Sequence, residues 1–124
     1  MSRPDFILPA DAAGEFYTPE RCHITELLND SSSPDASLAR ARVEPGVTTQ
    51  LHALAGTREI YVIETGSGLV EVDGRSAAVG PGDCIDIPAG VPQRITNTGE
   101  TDLIFLCLCT PRFVPEAYLN LETK

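Results

Sequence analysis

Two histidines, His23 and His52, are the whole imidazole inventory of this 124-residue chain, so any histidine chemistry has few places to occur. His52 lies in GVTTQLHALAGTREIYVIETG, residues 46–66. If residues 48–54 form a strand, the two-residue period puts Gln50, His52 and Leu54 on one face. A turn through Ala55, Gly56 and Thr57 opens a second strand, on which Glu59, Tyr61 and Ile63 share a face. With both faces inward, His52 and Glu59 confront one another. Gln93, in PAGVPQRITN, is a third inward polar side chain, and Ile95 follows it on the same face. Two kinds of chemistry suit this set. The nitrogen and oxygen donors of Gln50, His52, Glu59 and Gln93 can surround a hard divalent cation. They can equally hydrogen-bond to one another around a small organic ligand, with Tyr61, Leu54, Ile63 and Ile95 as cavity wall.

The elements that would position these residues are short strands. Ten glycines and ten prolines are spread along the chain and punctuate it into brief apolar or alternating runs. SLARARV alternates Ala39, Ala41 and Val43 with Arg40 and Arg42. REIYVIET, GLVEVDG, SAAVG, DCIDIP, QRITNTG and DLIFLCLCT follow at nearly even spacing, with Asp73-Gly74 as a hairpin turn and 80–83 as a tight reversal. CHITEL, with β-branched Ile24 and Thr25, reads as an earlier strand. The whole predicts an all-β sandwich or small barrel. Residues 1–36 are expected to form an arm and first strand that pack on the barrel or on a partner subunit, residues 37–110 the barrel, and residues 111–124 an irregular tail packed back through Phe113 and Tyr118.

Eighteen acidic against nine basic residues give a formal net charge of -9, which disfavours nucleic acid and anionic membrane surfaces. No run approaches the length of a membrane span, and no secretory leader is evident, so a cytoplasmic protein is expected. The four cysteines, Cys22, Cys84, Cys107 and Cys109, are then expected to be reduced. Cys107 and Cys109 fall on one face of a strand and read as small buried apolar residues.

Two spaced motifs sharpen the reading. Gly46, His52, Glu59 and Gly66 fall on the spacing of one, and Gly82, Pro88, Gly90 and Asn97 on that of the other. The chain therefore resembles the cupin superfamily, specifically a small single-domain cupin. The resemblance implies a double-stranded β-helix, or jelly-roll, barrel with an N-terminal arm. It also implies a homodimer and a divalent metal such as Mn, Fe, Ni or Zn, held by histidines and the glutamate. This chain departs from the family's ligand pattern, with Leu54 at the second histidine position and Gln93 at the third. Two functions stay open on this reading. One is a metal-dependent enzyme of oxygenase or isomerase type, with an atypical His/Glu/Gln site acting on an unidentified small molecule. The other is a metal-free cupin binding module without catalytic activity. The catalytic residues are not assigned.

Overall fold

The computed structural model describes residues 3–9 and 14–122. Residues 1–2 and 10–13 of the expected arm, and residues 123–124 of the tail, lie outside the described residues.

Among the described residues the regular structure is almost entirely β. In chain order the strands are β1 (Glu15–Tyr17), β2 (His23–Leu28), β3 (Ser37–Val43), β4 (His52–Leu54), β5 (Arg58–Thr65) and β6 (Gly68–Val72). They continue with β7 (Arg75–Val79), β8 (Cys84–Ile87), β9 (Gln93–Asn97), β10 (Leu103–Thr110) and β11 (Tyr118–Asn120). Two antiparallel sheets result, one ordered β1-β2-β3-β10-β5-β8 and the other β11-β4-β9-β6-β7. This is the jelly-roll expected from the sequence.

The alternation of residue types sets which face each strand buries. In β10 every second residue is buried, from Leu103 through Phe105 and Cys107 to Cys109, while the residues between are half-exposed. In β5 the buried set is Glu59, Tyr61 and Ile63. The inner faces meet in one core, where Ile63 and Phe105 of the larger sheet pack in the same cluster as Val70 and Ile95 of the smaller. Phe105, Ile63 and Ile95 are each at most 2 % exposed, and burying a side chain of this size stabilises the fold by about 1.5–3 kcal/mol.

Two turns show why the motif and hairpin positions need their residues. Asp73 (φ 53) and Gly74 (φ 77) are both left-handed, as a two-residue turn between β6 and β7 requires. Gly66 (φ +91) ends β5 where the chain approaches the start of β10, and a Cβ there would stand 2.8 Å from the Asp102 carbonyl oxygen.

Two segments depart from the sequence expectation. The strand expected over residues 48–54 is reduced to β4, with Thr48 making an isolated bridge to Thr96. The reason is the destination of the backbone donors: Thr49 N–H goes to the Ile95 carbonyl and Gln50 N–H to that of Glu20, so the segment is shared between neighbours instead of running as one ladder. The tail, expected to be irregular, forms a 3₁₀ turn at Pro115–Ala117 and then β11, which pairs with β4 through Tyr118↔Leu54 and Asn120↔His52. It covers an edge that would otherwise leave backbone groups unpaired. No helix among the described residues is long and apolar enough to cross a membrane.

Candidate functional site

A cavity of about 450 Å³ is bounded by β2, β3, β5 and β10 of the larger sheet, by His52 of β4, and by the tail. Alternation in β5 turns Glu59 and Tyr61 into it, and alternation in β10 turns Phe105, Cys107 and Cys109. His52, Glu59 and Tyr61, drawn from two strands in different sheets, all line this cavity.

His52 is fixed in two ways. Its Nδ1–H donates to the Gln50 carbonyl at 2.7 Å, which leaves Nε2 as the ring atom with a lone pair to offer. Its ring also stacks on Tyr118, with centroids 4.8 Å apart and planes 12° apart. Tyr118 in turn donates its hydroxyl hydrogen to Gln50 Oε1 at 2.6 Å. The carbonyl and the amide of Gln50 therefore hold an imidazole and a phenol side by side.

Gln93 is 1 % exposed, sits opposite His52 in the β4–β9 register, and accepts a hydrogen bond from the Tyr61 hydroxyl at Oε1. It braces Tyr61 from behind and does not line the cavity. Leu54, Ile63 and Ile95 are buried, but none of them lines the cavity either. Leu54 lies in β4 under the tail, and Ile63 and Ile95 belong to the core between the sheets.

Glu59 is the electrostatic centre of the site. It is 8 % exposed; its Oε2 accepts from the Cys109 thiol at 3.5 Å, and its Oε1 is buried with no hydrogen-bond partner among the described residues. Burial pushes its pKa from 4.5 to about 7, with the carboxylate of Glu20 adding to the rise and the Gln93 amide and Cys109 thiol opposing it. Burial likewise drives the Tyr61 phenol and the Cys22, Cys107 and Cys109 thiols well above their ordinary values. These thiols stay protonated, which makes them soft walls instead of nucleophiles.

Several lining residues escape a sequence reading. Tyr118 is expected only to pack an irregular tail back on the barrel, Glu20 comes from a segment with weak pattern, and Cys22 precedes the strand β2 without being marked as a site residue. Only the fold brings them to His52 and Glu59.

The donors do not fit a resident divalent cation. Of the four expected ligands, His52 offers one imidazole nitrogen and Glu59 one carboxylate, the amide oxygens of Gln50 and Gln93 are already held by tyrosine hydroxyls, and Leu54 has no lone pair. Among the described residues no group of three His, Cys, Asp or Glu side chains is arranged to hold a metal.

Known proteins place the chain. It is 35% identical over 114 residues to the uncharacterised protein MJ1618 of Methanocaldococcus jannaschii, covering 90% of this chain and 91% of that one. It is 37% identical over 70 residues to an oxalate-binding protein of Thermotoga maritima, covering 56% of this chain and 58% of the relative. Among solved structures, the polyketide cyclase RemF of Streptomyces resistomycificus superposes with a TM-score of 0.77 at 20% identity, covering 100% of this chain and 87% of that one, a likeness of fold. The Cupin domain family model matches residues 39–109, the span that holds both spaced motifs, and the chain belongs to the cupin family.

Proposed function

We propose that this cupin binds a small organic molecule in the cavity at His52, Glu59 and Tyr61, and does so without a resident metal. The observation that carries the reading is the cavity itself: about 450 Å³, walled largely by apolar and aromatic side chains, with His52 and Glu59 among its few buried polar groups. The donor set supports the absence of metal from the working site, since its amide oxygens serve neighbouring tyrosines. The relative named for oxalate binding and the cyclase of the same fold are both proteins that handle small molecules, which agrees with the reading.

A second reading adds catalysis by proton transfer, and the observation that favours it is Glu59. A carboxyl group whose pKa burial raises to about 7, in a cavity that His52 also lines, suits general acid–base work. It would appear as a limb near pH 7 in the rate profile of any substrate found.

The test of binding is a thermal-shift screen of small molecules in the presence of chelator, run on the wild type and on His52→Ala and Tyr61→Phe. Ligands that stabilise the wild type and lose their effect in the variants are expected. Stabilisation only after adding Mn²⁺, Ni²⁺ or Zn²⁺ would count against the metal-free site.

In the same reading the chain pairs with a second copy through its N-terminal segment, where Phe6, Leu8, Phe16 and Tyr17 are all exposed. Light scattering after size exclusion reads this directly, with a dimer expected.

A further inference from the structure

The cavity wall carries an imbalance of charge. Its lining groups include four carboxylates, Glu20, Glu26, Glu59 and Glu116, against a single guanidinium, that of Arg112. Arg112 is engaged, with Nη1 donating to Asn29 Oδ1 at 2.9 Å. Of the four acids Glu59 is the most buried; its Oε1 has no hydrogen bond within 3.5 Å, and the donors beside the carboxyl, the Cys109 thiol and the Gln93 amide, are both neutral. None of the ion pairs among the described residues includes it. Ionised, a carboxyl group buried without a cation is a costly arrangement, which a bound proton relieves and an incoming positive charge would relieve in the proton's place.

The remaining surface suits the carbon frame of such a ligand. His52 and Tyr118 present a stacked pair, and Tyr61 and Phe105 a tilted pair with centroids 4.6 Å apart, all lining the same cavity. Aromatic faces attract cations through their quadrupole, most strongly where water is excluded. The chain's net charge of -9 draws cations and repels anions at long range.

We propose that the cavity binds a small organic monocation, its charged nitrogen hydrogen-bonded to Glu59 and its carbon frame against the rings of His52, Tyr61, Phe105 and Tyr118. This rests on the small-molecule reading above and adds the sign of the ligand. A dianion such as oxalate has the wrong charge for this wall.

Calorimetric titration of the full chain with three probes tests it: 2-phenylethylamine, its neutral isostere 2-phenylethanol, and oxalate. The amine is expected to bind at least about tenfold more tightly than the alcohol, the worth of one hydrogen bond to a charged group, with oxalate not binding. Glu59→Gln should bring the amine to within about threefold of the alcohol. If that variant does not fold, salt on the wild type decides: the amine's affinity should fall with ionic strength and the alcohol's should not. Alcohol binding as tight as amine binding, a salt-insensitive amine, or a preference for oxalate overturns the cation assignment and leaves the small-molecule reading standing. Failure of all three probes to bind overturns both.

Discussion

At the scale of single residues, Glu59 dominates. Its folded-state pKa lies above the ordinary 4.5, so the folded state holds the proton more tightly than the unfolded chain does. The associated stability is complete below about pH 4.5 and is lost as pH rises through about 7. Glu59→Gln, which never ionises, should therefore gain melting temperature relative to the wild type as pH is raised across that window; a difference independent of pH would contradict the burial argument. Leu54 tests the metal question from the other side. It is 3 % exposed in β4 and away from the cavity, so Leu54→His buries a polar ring without completing a ligand set. The expected result in urea unfolding is a loss of about 2 kcal/mol, with no added uptake of Mn²⁺ or Zn²⁺. His52, Glu59 and Tyr61 were legible because period two and motif spacing fix both their face and their neighbourhood. The direction of Gln50 was not, because it depends on Tyr118, which is 68 residues away in sequence.

At the scale of elements, the tail and the end of β5 carry the most information beyond the motifs. β11 closes the edge of β4 and delivers Tyr118 to His52. Tyr118→Ala removes a ring stack and a hydrogen bond, and should cost about 1–2 kcal/mol in denaturant unfolding as well as weakening ligand binding. Tyr118→Phe keeps the stack and should recover much of the loss. Gly66→Ala forces a Cβ to 2.8 Å from the Asp102 carbonyl at a left-handed φ. A drop of about 1–3 kcal/mol is expected from backbone strain alone, read by the same unfolding curves. The sequence revealed β3, β5, β6 and β10 because one-sided burial imposes a clean alternation on them. It concealed the shortening of β4, since no residue type announces that the Thr49 and Gln50 amides bond to Ile95 and Glu20. It concealed β11 because a three-residue strand has too few positions to display a period.

At the scale of the whole molecule, a cupin sandwich encloses a cavity whose donor set does not suit a divalent metal. The cysteines give an independent check of the packing. Cys84 is exposed, whereas Cys22, Cys107 and Cys109 are buried and held protonated. A thiol-reactive disulfide reagent should titrate one thiol per native chain rapidly and the other three only after denaturation. The central claim is that the cavity works without metal, and elemental analysis by mass spectrometry tests it most directly. Untagged protein purified without chelator would be measured beside His52→Ala. The account predicts the same sub-stoichiometric metal content in both, unchanged when divalent metal is added back and excess removed. Near-stoichiometric manganese, iron, nickel or zinc in the wild type that disappears in His52→Ala would contradict it.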